Sequence, residues 1–464
     1  MIGPQARAVD IAAAVRARRV SARDVAAAAL ARIAGRNAAL NCFTHVRPDE
    51  ALEEAARIDA RVEAGEDVGP LAGVPFAVKN LLDVRGVTTL AGSKIFAERP
   101  PAARDATAVA ALRRAGAVLV GTLSMDEFAF GFTTENPHYG PTRNPHDLAR
   151  VPGGSSGGAA AAVAAGLVPL ALGSDTNGSI RVPAAFCGVF GLKPTYGRVS
   201  RAGAALFAAS LDHVGPFARS VADLAAAFDA IQGPDTRDPV ASDAPVVPCA
   251  PHVGRDVEGL RLAVAGGHFA RNAEPEALDA VRKVAKALRI RREVELPESH
   301  RARAAAMVIT AVEGANLHFP DLKARAKDFD PLTRDRFLAG ALLPASVYVQ
   351  AQRFRAWYRA RVAEIFREID VLLTPTAPWP APLIGAPRTR RVDDAEVIVR
   401  AHSGVFTQPL SFVGLPAMSV PLAAPGVLPL GIQLVAAPFG EPMLFRVAAH
   451  LERDGLVSAP LAGG

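Results

Sequence analysis

Hydrophobic positions along the chain follow two spacings, and these predict an alternation of helices and strands. Amphipathic, alanine-rich patterns of helical period cover 7–34, 48–64 and 275–288. Short unbroken apolar runs of strand length cover 117–120 and 167–172, and each begins next to a glycine. Strands that alternate with helices in this way predict an α/β layered fold.

The least usual pattern is Gly153-Gly154-Ser155-Ser156-Gly157-Gly158, four glycines around two serines. Glycine is unfavourable inside helices and strands, so this run predicts a backbone that turns sharply or approaches another group closely. An alanine-rich helix and the apolar strand 167–172 follow, and the strand leads into a second turn, 173–179. Acyl-transfer enzymes place a nucleophilic hydroxyl and its oxyanion hole in such a turn, beside free backbone N–H groups.

A nucleophilic serine needs a base, and the candidate base here is a lysine. None of the ten histidines lies between His146 and His213, and they show no pairing pattern. Lys79, in contrast, ends the apolar run 73–79. Burial at the end of a strand would lower the pKa of its amine, which could then be neutral near pH 7.

Lys79, the GGSSGG run and the turn GSDTNGSIR together resemble the amidase signature family. The resemblance extends from Ser21 to Gln433, nearly the whole chain. It implies an α/β/α layered fold, in which helices cover both faces of a large mixed sheet. It also implies a single domain, 1–464, with its signature core at about 60–220 and a linker-like excursion at about 232–258. Neither a cofactor nor a metal is implied.

The family resemblance implies a Ser–cis-Ser–Lys triad. Ser179 matches the nucleophile, Lys79 matches the general base, and Ser155 matches the serine that bridges them. The peptide bond Gly154–Ser155 is implied to be cis.

The second turn is implied to form the oxyanion hole, and Asn177 departs there from the glycine that is usual in the family. The backbone N–H groups assigned to the hole are those of Thr176, Asn177, Gly178 and Ser179. The residues implied to support the turn are Ser174, Asp175 and Arg181. For Arg181 a purely structural ion pair beneath the site is the alternative.

Several stretches resemble one branch of the family, which releases ammonia from a carboxylated biuret in bacterial cyanuric acid breakdown. That branch works with a small helical partner subunit, so the resemblance implies a dimer or a heteromer. Asn177 and 407–411 favour this branch, whereas 125–128 and 140–145 are shared with the glutaminase subunit of the tRNA-dependent amidotransferase. The alternatives are the glutaminase, another small-amide hydrolase and an inactive scaffold protein, and the complete triad argues against the last.

A carboxylated substrate requires a cationic side chain in the site, and arginine can bind a carboxylate through two parallel hydrogen bonds. Arg334 and Arg336 are the candidates, with Met125 as a further substrate-binding residue. The alternative for each arginine is a solvated helix face.

Composition narrows the class of protein further. The chain has 464 residues, of which 50% are hydrophobic, enough for a large core. The net charge is +6, but the sequence contains no run of basic residues and no stretch in which basic and aromatic residues alternate. This pattern argues against a nucleic-acid partner. The three cysteines lie far apart without metal-ligand spacing. With no signal-peptide pattern and no apolar run of membrane-spanning length, we predict a cytoplasmic enzyme that acts on a small molecule without a membrane.

Overall fold

One mixed sheet of eleven strands carries the fold in the computed structural model, which describes residues 3–386, 389–393, 395–424 and 426–462. The helices are α1 (Ala8–Arg16), α2 (Ala22–Leu40), α3 (Pro48–Glu63), α4 (Thr107–Arg114), α5 (Gly157–Ala164), α6 (Arg181–Cys187), α7 (Val221–Ile231), α8 (Pro275–Ala287), α9 (Ser299–Leu317), α10 (Phe319–Arg325), α11 (Pro331–Ala341), α12 (Ala345–Ile365), α13 (Val399–His402), α14 (Gln408–Ser411) and α15 (Glu441–Arg453). The strands are β1 (Phe43–Val46), β2 (Pro75–Lys79), β3 (Val118–Leu123), β4 (Glu135–Asn136), β5 (Gly140–Pro141), β6 (Leu170–Asp175), β7 (Phe190–Lys193), β8 (His213–Ala218), β9 (Leu262–Ala265), β10 (Glu293–Val294), β11 (Val371–Pro375), β12 (Thr389–Val392), β13 (Ala395–Ile398), β14 (Ala417–Ala424) and β15 (Val427–Ala436).

The order of strands in the large sheet is β1-β3-β2-β6-β8-β7-β14-β15-β11-β9-β10. The pairs β2/β3 and β2/β6 are parallel, whereas β6/β8, β7/β14 and β14/β15 are antiparallel. The predicted large mixed sheet is therefore confirmed. The strands β2 and β6 lie side by side, so their carboxyl ends, where Lys79 and Asp175 stand, open at the same edge.

Both faces of this sheet are covered by helices. Successive side chains of a strand point to opposite faces, and along β11 they enter two different apolar cores. Val371 and Leu373 join the core that contains Phe445 of α15, whereas Leu372 joins the core that contains Tyr358 of α12. The predicted arrangement of helices on both faces is thus confirmed.

The strand that leads to the second serine turn lies further along the chain than its apolar run predicts. The pattern predicts a strand over 167–172, but β6 runs through Asp175 because Ser174 pairs with Val214 and Asp175 with His213 in β8. Ladder hydrogen bonds from a distant strand thus extend regular structure into polar residues. Ser174 and Asp175 consequently stand on a rigid strand rather than in the turn.

None of the helices in the described ranges combines the length and the apolar character needed to cross a membrane.

Candidate active site

Lys79 is completely buried at the end of a central strand. Its Nζ donates hydrogen bonds to Ser155 Oγ at 2.7 Å and to Ser174 Oγ at 2.9 Å. Burial lowers the pKa of the amine to about 7, while nearby carboxylates act in the opposite direction. The structure therefore provides an amine that is partly neutral at neutral pH, in direct contact with one of the two predicted serines.

Ser155 lies where the glycine-rich loop enters α5, and the Gly154–Ser155 peptide bond is cis. The glycines here are required by close approach. A Cβ atom on Gly154 would stand 2.1 Å from Asp126 Oδ2, and one on Gly158 would stand 2.6 Å from the Ser124 carbonyl oxygen. The irregular segment 124–147 therefore packs directly against the serine loop and forms one wall of the site.

Ser179 lies in the turn between β6 and α6, next to the serine loop. Its carbonyl accepts a hydrogen bond from the backbone N–H of Ser156 at 3.2 Å, which ties the two turns together. The residue is 3% exposed. Its hydroxyl makes no hydrogen bond with any residue that the structure describes, so the side chain is held by packing and remains available as a reacting group.

The turn offers fewer free N–H groups than the sequence predicts. The N–H of Gly178 donates to Asp175 Oδ1 at 2.7 Å, so it is not available to an oxyanion. Gly178 has φ +138°, and a Cβ atom there would stand 2.2 Å from Thr407 Oγ1. Both observations explain why no larger residue fits at this position. The remaining predicted donors make no hydrogen bond within the described ranges, and they are the N–H groups of Thr176, Asn177 and Ser179.

Arg181 and Asp175 form a buried ion pair beneath the turn. Arg181 donates from Nε to Asp175 Oδ2 and from Nη2 to Asp175 Oδ1, both at 3.0 Å, and from Nη1 to Gln433 Oε1 at 3.0 Å. Burial would raise the pKa of the Asp175 carboxyl, but Arg181 holds it well below its usual range. Because the contacts of Arg181 are all internal, its position favours a structural ion pair beneath the site.

Breaking this pair is expected to destabilise the protein. Arg181→Met leaves the Asp175 carboxylate buried without its cation and should lower the free energy of unfolding by about 3–5 kcal/mol. The measurement is the midpoint of urea unfolding. The matched control is Arg282→Met, which removes the exposed partner of Asp279 and should change stability by less than about 1 kcal/mol. Equal effects of the two substitutions would contradict the assigned role of the buried pair.

Two buried carboxyl groups near Lys79 were missed by the sequence reasoning. Asp212 accepts hydrogen bonds from Thr176 Oγ1 at 2.5 Å and from the N–H groups of Phe207 and Ala208, and burial raises its pKa to about 6. Asp126 Oδ1 is paired with Arg400 at 3.0 Å. Asp126 lies in the stretch 125–128, but its partner Arg400 is 274 residues away, and Thr176, which donates to Asp212, is 36 residues away. Contacts between such distant residues cannot be read from the local sequence.

A second buried lysine was also missed. Lys193 Nζ donates to the carbonyls of Pro194, at 3.1 Å, and of Leu415, and lies 3.2 Å from His213 Nε2. Burial and the nearby Arg181 lower its pKa to about 7. Neither serine of the site is among its partners, so its amine titrates in the same range as that of Lys79 without the same contacts.

The three predicted substrate-binding residues lie in different environments. Arg334 is paired with its neighbour Asp335 and partly exposed. Met125 is fully buried. Arg336 instead places its guanidinium 3.7 Å from the centre of the Phe130 ring, in the segment that covers Ser155, and burial lowers its pKa to about 9. Of the two arginines, only Arg336 therefore lies beside the wall of the site.

The family of the chain follows from sequence comparison. The model of the Amidase family matches residues 24–445, most of the 464 residues. This chain belongs to the amidase signature family. The predicted family and enzyme class are thereby confirmed, and the protein is an amidase, a hydrolase of carbon–nitrogen bonds other than peptide bonds.

Curated relatives and solved structures resemble this amidase over nearly their full length. AtzE of Pseudomonas sp. (strain ADP), which belongs to 1-carboxybiuret hydrolase, is 50% identical over 97% of this chain and 99% of its own. One glutamyl-tRNA(Gln) amidotransferase subunit, from Moorella thermoacetica, is 38% identical over 94% of this chain and 93% of its own. A solved structure of a vestigial protein complex, bearing on the evolutionary origins of an s-triazine catabolic enzyme, superimposes with a TM-score of 0.96 at 49% identity, covering 98% and 100% of the two chains.

In the part of the chain that the structure describes, no three His, Cys, Asp or Glu side chains are grouped to hold a metal ion. The absence of a metal or cofactor in the working enzyme stays a prediction.

Proposed function

We propose that this amidase releases ammonia from a small carboxylated ureide, 1-carboxybiuret or a close analogue, through Ser179, Ser155 and Lys79. The observation that carries the chemistry is the 2.7 Å contact of the buried Lys79 amine with Ser155 Oγ, beside the Ser179 turn. The choice of substrate rests on the 50% identity with AtzE of the carboxybiuret hydrolase, against 38% for the amidotransferase relative.

The proposed reaction uses the lysine first as a base and then as an acid. Neutral Lys79 accepts the proton of the Ser155 hydroxyl while Ser155 accepts that of Ser179, and the Ser179 oxygen attacks the carbonyl carbon. The N–H groups of Thr176, Asn177 and Ser179 stabilise the resulting oxyanion. The carbon–nitrogen bond then breaks as the leaving nitrogen takes a proton back through Ser155, and ammonia departs. Water attacks the acyl-Ser179 intermediate by the same route, which restores the enzyme.

Arg336 is the proposed partner of the substrate carboxylate. Its hydrogen bonds go to the carbonyls of Leu332 and Phe130, and it has no carboxylate partner within the described ranges. The nearby carboxylates of Asp126 and Asp330 both pair with Arg400. A half-buried guanidinium that has no carboxylate of its own is stabilised by an anion that enters the site. Ser174 and Asp175 are proposed to support the turn, Ser174 through its contact with Lys79 and Asp175 through Arg181.

We expect ammonia release to be fastest with carboxybiuret in a panel that also contains biuret, malonamide and glutamine. Arg336→Gln should raise the KM for the carboxylated member by about 10-fold or more, because it removes a charge-assisted contact. Arg334→Gln, two residues away and on the exposed side, is the matched control and should leave that KM unchanged. A preference of the parent enzyme for glutamine would contradict the proposal and favour the glutaminase alternative.

The proposed partner is a small helical protein, and the proposed compartment is the cytoplasm. The structural neighbour belongs to a protein complex. This chain carries large apolar side chains that are at least two-fifths exposed along α9 to α12, namely Leu317, Phe319, Leu332, Leu338, Leu342, Val349 and Trp357. The helix α9 contacts both α11 and α12, and exposed apolar side chains that lie together on neighbouring helices mark interaction surfaces. Co-expression with the product of a short neighbouring reading frame, followed by mass determination of the complex, tests this assignment.

A further inference from the structure

The side chain of Asn177 is held in one orientation beside the proposed nucleophile. Its Nδ2 donates to Thr310 Oγ1 at 2.9 Å, and Thr310 Oγ1 donates in turn to the Ala306 carbonyl at 2.7 Å. A hydroxyl has a single proton, and here that proton is committed to Ala306, so Thr310 can only accept from Asn177. The amide nitrogen must therefore face Thr310, and the amide oxygen must face away from it.

That amide oxygen has no hydrogen-bond partner among the described residues. Asn177 is 6% exposed, and its Oδ1 is buried. An unpaired buried acceptor destabilises the folded state, and folded proteins pair the large majority of such groups. The Asn177 main chain is held as well, because Thr407 Oγ1 donates to the Asn177 carbonyl at 2.6 Å. Asn177 Oδ1 is consequently a pre-oriented acceptor, two residues from Ser179 in the same turn.

We propose that Asn177 Oδ1 accepts a hydrogen bond from the N–H that flanks the scissile carbonyl of a ureide, and so selects ureides over carbon amides. The inference deepens the proposed function and rests on it. A ureide places an N–H where a carbon amide places a CH2 group. With a CH2 group in that place, the buried oxygen stays unpaired, and a site built around a hydrogen bond discriminates strongly against an analogue that lacks it.

Thr310 acts in this arrangement as a positioning residue. Without its hydroxyl, nothing commits the amide nitrogen of Asn177 to α9, and the amide can turn its nitrogen toward the substrate. Thr310→Val should therefore weaken the preference for ureides, and Thr310→Ser, which keeps the hydroxyl, should retain it. This difference between valine and serine would not arise if Thr310 served only the packing of the helix.

Two matched pairs of compounds test the inference. Biuret and malonamide differ only by N–H against CH2, and allophanate and malonamate differ in the same way but carry a carboxylate. We expect the parent enzyme to prefer the N–H member of each pair by about 10- to 100-fold in kcat/KM, or in Ki against carboxybiuret where turnover is absent. Asn177→Gly should bring that ratio close to one. The backbone N–H of Asn177 also belongs to the proposed oxyanion hole, so a substitution there can change the rate with every substrate. The test is therefore the ratio between the two members of a pair, and not the absolute rate with either one.

The outcomes separate the inference from the proposed function. A ratio that is the same in the parent, Asn177→Gly and Thr310→Val enzymes would overturn the inference while ammonia release from carboxybiuret still stood. A parent enzyme that binds neither member of either pair would also overturn it. Failure of the parent to release ammonia from carboxybiuret would overturn the proposed function itself. If Asn177→Gly does not fold, the comparison of Thr310→Val with Thr310→Ser decides the question.

Discussion

Ser179→Ala is expected to lower kcat by about 10⁴-fold or more, since acyl-transfer triads lose on that order when the nucleophile is removed. The free energy of unfolding should stay close to that of the parent, because the Ser179 hydroxyl makes no hydrogen bond with a described residue. The measurements are ammonia release in single turnover and urea unfolding. Activity retained above about a thousandth of the parent value would point to another nucleophile.

A neighbouring serine provides the control for this substitution. The Ser156 hydroxyl donates to the Ser174 carbonyl at 3.0 Å and accepts from the Ser174 N–H at 3.3 Å. Ser156→Ala should therefore lower the free energy of unfolding by about 1 kcal/mol and reduce the rate far less than Ser179→Ala. The two variants thus show opposite patterns, one a loss of activity and the other a loss of stability.

Lys79→Ala is expected to remove most of the rate together with its dependence on pH below neutrality. In the parent, activity should rise with pH through about 7, the pKa to which burial lowers the Lys79 amine, because only the free amine can accept a proton. Lys79→Arg should fail as well, since a guanidinium stays protonated. A Lys79→Arg enzyme with near-parent activity would mean that the site uses the cation, and that the proton acceptor lies elsewhere.

Lys193 makes a control necessary in this experiment, because its pKa is also lowered to about 7. Lys193→Met should keep the acidic limb of the rate profile, whereas Lys79→Ala should abolish it.

The pH dependence of stability is expected to depend on both lysines. Each has an ordinary pKa of 10.5 and a lower one when folded. Between these values the unfolded chain binds more protons, so stability falls as pH decreases from about 10.5 to about 7 and then levels off.

The amino-acid sequence identified the serine loop, the second serine turn and the lysine because each depends on local chemistry. Glycine runs mark sites where a Cβ atom does not fit, and unbroken apolar runs mark strands covered on both faces. Lys79 stands out because its charge ends such a run. The cap of α2 is a contact between near neighbours as well, since Ser21 accepts from the Asp24 N–H at 2.9 Å.

The tertiary structure alone decided which groups meet. Asp175 occupies the N–H of Gly178, so the turn has one donor fewer than the motif predicts, and Thr310, 133 residues from Asn177, orients its amide. Lys193 also ends an apolar run, 189–193, and only the structure shows that its amine contacts His213 and Leu415 rather than a serine of the site. Hydrogen-bond partners and pKa values depend on distances and burial, which arise only when distant segments pack together. Spacing along the chain cannot determine those distances, because the sheet order joins strands that are far apart in the sequence.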